Sequence, residues 1–174
     1  MKNLVLVGFM GTGKTVVGQR AAARLGMTFV DTDQLIEQRT GQKISDIFAK
    51  QGEACFRKIE RELVRELASQ PDRVIATGGG VVLDANNLRD LGRTGIIICL
   101  WSEPDVIYER TRKVRDRPLL EDQDRRQRIE QLLHQRAPLY KAIPLHIDNT
   151  HTTVDQDVDE VIRIYRDQTA GVRP

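Results

Sequence analysis

The sequence predicts an α/β protein built on a parallel sheet, and three observations predict it. Apolar, strand-like runs alternate with helical patterns along the chain. The runs are continuously apolar, as strands buried on both faces are. The first of them leads directly into a glycine-rich phosphate loop, with strand before and helix-forming sequence after.

The first strand is Leu4-Val5-Leu6-Val7, and it runs into Gly8-Phe9-Met10-Gly11-Thr12-Gly13-Lys14-Thr15. A helix is expected from Lys14 to Leu25, stopped by Gly26. The second strand is the short Thr28-Phe29-Val30-Asp31, followed by helical sequence through Gln34-Leu35-Ile36-Glu37. Glu53 to Leu67 carries Phe56, Ile59, Leu63 and Leu67 at helical spacing. The third strand, Arg73 to Thr77, follows a Pro-Asp turn signal and ends on Gly78-Gly79-Gly80. Gly95 to Leu100 is a β-branched fourth strand.

Ser102-Glu103-Pro104 is a cap-and-proline start for a helix reaching Lys113. Asp124 to Tyr140 places Ile129, Leu132, Leu133 and Tyr140 on one face, and Pro138 should kink or end that helix. Pro144 to Asp148 is the fifth strand. A last helix runs from Val154 to Tyr165 after the capping candidates Thr152 and Thr153. Gln168 to Pro174 reads as a frayed tail. There is no internal repeat and no low-complexity stretch.

Composition narrows the class. The 174 residues suit a single domain. Apolar residues make up 40% and aromatic residues 5%, so the core should be Val, Ile, Leu and Ala. Lys plus Arg number 27 against 25 Asp plus Glu, a net charge of +2 that is no nucleic-acid signature. Cys55 and Cys99 lack C-x-x-C spacing and read as buried free thiols of a reducing compartment. The first strand starts at once, with no signal-peptide pattern, and no apolar run approaches membrane-spanning length. A cytoplasmic, soluble protein is expected.

The phosphate loop carries the first chemistry. Its glycines let backbone N–H groups turn inward around phosphate oxygens, where a Cβ would block approach. The following helix adds the positive end of its dipole. Lys14 can reach the β- and γ-phosphates, and the Thr15 hydroxyl can ligate Mg²⁺. The stretch Gly11, Thr12, Gly13, Lys14, Thr15 and Val16 therefore implies a nucleoside triphosphate bound with magnesium.

Ligands of parallel sheets bind beyond the carboxyl ends of the strands. Asp31-Thr32-Asp33 therefore faces the same site as the phosphate loop. One carboxylate, Asp31, can hold Mg²⁺ through water, and the other, Asp33, can take a proton from an attacking hydroxyl. Read alone, Asp33 serves equally as a helix N-cap. Gly78-Gly79-Gly80 suits close approach of a ligand to main chain, or a flexible turn.

Arg57 follows Phe56, with Glu53 and Glu60 four before and three after to orient its guanidinium toward a carboxylate. A surface salt-bridge helix is the plainer reading. Arg136 falls on the apolar face of its helix, where a charge needs an anion or a salt bridge. Arg110, Arg112, Lys113, Arg115 and Arg117 form the densest basic run. Such a segment can act as a mobile lid that closes over a triphosphate. Arg112 and Arg115 also fit a solvated face. His134, His146 and His151 have no metal-ligand spacing. Trp101 and Phe48 read as packing, with Phe48 able to line a small pocket.

Together, Gly8 to Thr15, Asp31-Thr32-Asp33, Phe56-Arg57 with Glu60, Gly78-Gly79-Gly80-Val81, Arg117-Pro118-Leu119 and Arg136-Ala137-Pro138-Leu139-Tyr140 resemble the shikimate kinase family. The resemblance runs from Leu4 to about Tyr165. It implies the three-layer P-loop fold of nucleoside-monophosphate kinases, with a five-stranded parallel sheet in the order 2-3-1-4-5. It implies transfer of the γ-phosphoryl of ATP to the 3-hydroxyl of shikimate, on the way to aromatic amino acids. Asp33 would hold the shikimate hydroxyls and act as base, within a binding region of about residues 33–61. Arg57 and Arg136 would clamp the carboxylate, with Gly78, Gly79 and Gly80 alongside.

Lys14 and Arg117 would serve catalysis, Arg117 from a lid of about residues 112–124. Arg110 would stack on adenine, opposite a wall from Asn149 to Val154. Val154 stands where many members have proline, and Val114-Arg115-Asp116 is more charged than the family pattern. A monomer, with no nucleic-acid or membrane partner, is implied.

Two rivals remain at this level. A gluconate or nucleotide kinase would use the same scaffold, because paired arginines also bind phosphate. A phosphate-loop switch is a different class, but the N-K-x-D base-reading motif of GTPases is missing.

Overall fold

The strands are β1 (Asn3–Gly8), β2 (Thr28–Asp31), β3 (Arg73–Ala76), β4 (Gly95–Trp101) and β5 (His146–Asp148). The helices are α1 (Lys14–Leu25), α2 (Thr32–Thr40), α3 (Ile44–Ala68), α4 (Ala85–Thr94), α5 (Pro104–Thr111), α6 (Arg125–Lys141) and α7 (Val154–Ala170). A 3₁₀ turn covers Val81–Leu83. The computed structural model describes residues 1–112 and 125–170. Lid residues 113–124, Arg117 among them, and residues 171–174 therefore lie outside the described residues.

The strands pair in the order β2-β3-β1-β4-β5, all in parallel, as expected. Leu4 lies opposite Val74 and Ile96, and Leu6 opposite Ala76 and Ile98. Alternation along β1 then divides the core. Leu4 and Leu6 face α1 and α7, packing with Val17, Ala21, Val158 and Tyr165. Val5 and Val7 face the other layer, with Phe56, Leu63, Leu91, Leu133 and Tyr140. Both sides of the sheet are covered, which explains why its strands read as unbroken apolar runs.

Several elements differ from the sequence expectation. Helical residues begin earlier than expected, at Ile44, but the backbone of Gly52 (φ 82°, ψ 166°) is non-helical, so the helix expected from Glu53 starts directly after that kink. A side chain there would be strained, so glycine marks the bend. Helix α4 was not anticipated, because Leu88 and Leu91 are its only large apolar residues. Asp84 caps it, and the buried Asn87 amide donates to the Val81 carbonyl at 3.1 Å.

Pro138 does not end α6, which continues to Lys141. Pro138 and His134, four residues earlier, are both exposed, so the carbonyl that loses its donor lies on the water-facing side. Gln168 to Ala170, expected to fray, extend α7. The Thr169 hydroxyl bonds to the Tyr165 carbonyl at 2.9 Å there. Both cysteines are free, but only Cys99 is buried; Cys55 is half-exposed on α3, where its thiol donates to Gln51.

Candidate active site

The loop between β1 and α1 is held from within. Gly8 has φ +145°, and a Cβ there would lie 2.2 Å from the Leu100 carbonyl oxygen. Only glycine fits so close to β4. The Thr12 hydroxyl turns inward to the Phe9 carbonyl at 2.8 Å. Lys14 is buried, and its ammonium donates to the Gly8 and Phe9 carbonyls, each at 2.8 Å. The lysine head is thus fixed at the mouth of the loop, where α1 begins.

Asp31 ends β2 and has two tasks. One carboxylate oxygen accepts from the backbone N–H of Asp33 (3.0 Å) and Gln34 (3.2 Å), capping α2. The other accepts from the Thr15 hydroxyl at 2.7 Å. The N-cap of α2 is therefore Asp31, and Asp33 lies inside its first turn. Capping needs an extended residue before the helix, and Asp31 (φ −104°, ψ 121°) supplies it. Asp33, not used as the cap, lines the cleft.

Asp33, Arg57, Glu60 and Arg136 meet under the three glycines. A Cβ on Gly78 would lie 2.6 Å from Asp33 Oδ1 and 3.1 Å from Glu60 Oε1. One on Gly80 would fall 2.3 Å from an Arg57 guanidinium nitrogen. At Gly79 it would press on the backbone nitrogen of Met10 at 3.1 Å. Each glycine thus admits a different neighbour. The Gly78 N–H is already used, donating to the Thr32 hydroxyl at 2.9 Å.

Arg57 is oriented as its spacing predicts, donating to Glu60 at 2.8 Å and to Glu53 at 3.0 and 3.2 Å. Glu60 is 1% exposed. Burial pushes its carboxyl above the usual range, against the pull of the Arg57 guanidinium. Arg136 is 5% exposed and lies over the Phe9 ring. Its Nη1 has no hydrogen-bond partner among the described residues. A buried cationic donor left open is costly unless an anion comes to it. Tyr140, one turn further on, donates from its hydroxyl to the Gly79 carbonyl at 2.5 Å. Burial raises the pKa of that phenol, so it stays a neutral donor.

These groups line one cleft of about 580 Å³. Gly11, Gly13, Lys14, Thr15 and Val16 form one end; Asp33, Arg57, Gly78 to Gly80 and Arg136 form the other. Asp31 lies between them, Arg110 lines the cleft too, and Phe48 helps line it as expected. Two expected residues do not reach the cleft. Thr12 is fully buried in the loop, and Val154 packs with the core between α1 and α7. Among the described residues there is no cluster of three or more His, Cys, Asp or Glu that could hold a metal. His134, His146 and His151 are exposed.

Sequence reasoning missed Ser102, Thr32, Asp157 and the Tyr140 hydroxyl. Each is a single polar residue whose importance appears only when separate strands and helices meet. The available signal was position, because Ser102 and Asn149 each directly follow a strand. No helix among the described residues is long and apolar enough to cross a membrane.

With this geometry in hand, comparison with known proteins shows the family. The family model for shikimate kinase matches residues 10–166. The shikimate kinase of Thermodesulfovibrio yellowstonii is 44% identical over 171 residues, covering 98% of this chain and 99% of that protein. That of Caldanaerobacter subterraneus is 46% identical over 165 residues, covering 95% and 96%. Among solved structures, the Acinetobacter baumannii shikimate kinase in complex with shikimate superposes with a TM-score of 0.90 at 35% identity. The match covers 100% of this chain and 96% of that one.

Proposed function

The chain belongs to the shikimate kinase family, and from that premise we propose how its cleft performs the reaction. The activity is transfer of the γ-phosphoryl of ATP to the 3-hydroxyl of shikimate, giving shikimate 3-phosphate and ADP. One observation carries the assignment of ends. A phosphate loop and a pair of arginines, Arg57 and Arg136, share one cleft, with a carboxylate, Asp33, lining it.

The triphosphate lies against Gly11 to Val16, where α1 points its N-terminus at the anion. The Thr15 hydroxyl and the Asp31 carboxylate are hard oxygen donors already 2.7 Å apart, and they fit magnesium held partly through water. When bound, the ion neutralises charge on the β- and γ-phosphates. Arg57 and Arg136 hold the substrate carboxylate, and the N–H groups of Gly79 and Gly80 approach the ring. Gly78 acts through its contact with Asp33, since its N–H belongs to Thr32.

Asp33 accepts the proton of the attacking hydroxyl. An oxygen–phosphorus bond forms to the γ-phosphorus while its bond to the β–γ bridging oxygen breaks. Lys14 moves from the loop carbonyls to the developing charge. Arg117, from the segment about 112–124, adds to that charge stabilisation. The protein supplies positioning and electrostatics, which is what phosphoryl transfer needs.

Arg110 packs on the adenine. Val154 supports that wall from behind, through the core. The chain works as a single domain and a cytoplasmic monomer on small molecules, with no part for nucleic acid or membrane.

The test is an ADP-release assay with and without shikimate, run beside gluconate and nucleoside monophosphates. Release should depend on shikimate. Phosphorylation of a nucleoside monophosphate but not shikimate, or robust hydrolysis without any acceptor, would overturn the reading.

A further inference from the structure

We propose that Ser102 and Asn149 are positioning residues that fix the Arg110 guanidinium for nucleotide-base recognition and tie it rigidly to the phosphate loop. The proposal rests on the reading that Arg110 packs on the base. β4 and β5 are neighbours in register, with Trp101 opposite Asp148. The next residue of each strand is therefore delivered to the same point on the sheet's carboxyl edge. Those residues are Ser102, 0% exposed, and Asn149, 1% exposed.

Arg110 donates from one guanidinium nitrogen to the Ser102 hydroxyl and from the other to the Asn149 backbone carbonyl, both at 3.1 Å. Two-point attachment sets the plane of the guanidinium as well as its position, which a stacked base reads directly. The Asn149 side chain extends the link inward. Its amide nitrogen donates to the Thr12 carbonyl at 2.7 Å and to the Asp157 carboxylate at 3.1 Å. Both are acceptors only, so the amide orientation is fixed, and its oxygen receives the Ser102 hydroxyl.

Asp157, also buried, is held on its other oxygen by the Thr152 hydroxyl. The chain of bonds thus runs from α7 through Asn149 to the phosphate loop on one side and to Arg110 on the other. A network serving packing alone would have no reason to end on Thr12 of the loop and on a cleft arginine. This one holds the two parts of a nucleotide site, phosphate cradle and base wall, at a fixed separation before the nucleotide arrives.

The experiment compares Ser102→Ala, Arg110→Ala and Arg110→Lys with the parent enzyme. Ser102→Ala removes one of the two anchors and barely changes volume. KM for ATP should rise about 10-fold or more, the worth of one hydrogen bond from a charged donor. The preference for ATP over GTP should shrink, with KM for shikimate and kcat at saturating ATP unchanged. A merely structural role would lower the melting temperature and leave both the ATP KM and the base preference of the folded enzyme in place; that result overturns the proposal.

Arg110→Ala tests the underlying reading separately. If it leaves KM for ATP unchanged, the base wall lies elsewhere. If it raises KM while Ser102→Ala does not, the wall stands and the positioning role falls. Should Ser102→Ala not fold, Arg110→Lys decides, because lysine keeps the charge but cannot span both acceptors. Behaviour like Arg110→Ala supports the two-point anchor, and parental behaviour refutes it.

Discussion

Replacing Gly80 with alanine should separate function from stability. The Gly80 backbone (φ −95°, ψ 2°) is open to alanine, so no backbone strain arises. The new Cβ would stand 2.3 and 2.4 Å from the Arg57 guanidinium nitrogens and 2.5 Å from its central carbon. Reaching an ordinary 3.4 Å contact from 2.3 Å needs a retreat of about 1 Å. The yielding group is the end of a long side chain, so the fold loses little. Alanine also stabilises by about 0.4–1 kcal/mol through the unfolded chain, which offsets part of any loss.

Arg57 cannot simply swing away, because that would strand the buried Glu60 carboxylate. It shifts slightly and stays, misaimed. A misplacement of about 1 Å in a positioning group can cost about 100-fold. The expected outcome is a roughly 10- to 100-fold fall in kcat/KM for shikimate. KM for ATP should be unchanged, and the melting temperature should move by no more than about 2–4 °C. Steady-state kinetics with each substrate varied in turn, beside thermal unfolding, gives all three quantities. Parental shikimate kinetics would show that Arg57 does not depend on the space Gly80 leaves. A variant that fails to fold would show that the contact is not soft.

Asp33→Asn should lose about 10²–10⁴ of turnover, the usual worth of a general base, while titrating nucleotide as the parent does; near-normal turnover would remove Asp33 from catalysis. Tyr140→Phe deletes the hydroxyl that donates to the Gly79 carbonyl. Urea unfolding should record a loss of about 1–3 kcal/mol, and KM for shikimate should rise; an unchanged KM would detach Tyr140 from substrate positioning. Glu60→Gln gives a pH signature. Burial raises the Glu60 pKa above 4.5, so its contribution to stability is complete below 4.5 and is lost as pH rises through the folded value. The melting temperature of the parent should therefore fall relative to the Gln variant as pH climbs from 4 toward neutrality, on the order of the linkage slope. A flat or opposite difference would refute that sign.

What could be read in advance was local. The phosphate loop is contiguous, and Arg57 with Glu53 and Glu60 lies within two turns of one helix, so spacing alone predicts the fork that forms. Arg136 announced itself as a charge on an apolar stripe. The three glycines were legible as a place of close approach to main chain, but the use of the Gly78 N–H by Thr32 appears only once the end of β2 lies beside them. Asp31 and Asp33 were both visible, but which of them caps α2 depends on where the strand stops. Asn149, Ser102 and Asp157 carry no pattern of their own. Their meaning comes from two parallel strands ending side by side, a relation that no window of sequence contains.

The two arginines of the proposed carboxylate clamp are not equivalent. Arg57 is half-exposed and already bonded to two carboxylates, so a substrate anion adds to an existing network and must share it. Arg136 is buried and keeps one guanidinium nitrogen open among the described residues. An unmet buried donor costs about 1–3 kcal/mol, and more when charged. In the proposed clamp an arriving carboxylate meets that donor directly. In that proposed clamp Arg136 should supply the greater part of the affinity, and Arg57, fixed by Glu60 and by the room Gly80 leaves, the direction. A neutral analogue of the substrate leaves the Arg136 penalty in place, so the site rejects it more strongly than the lost attraction alone would require.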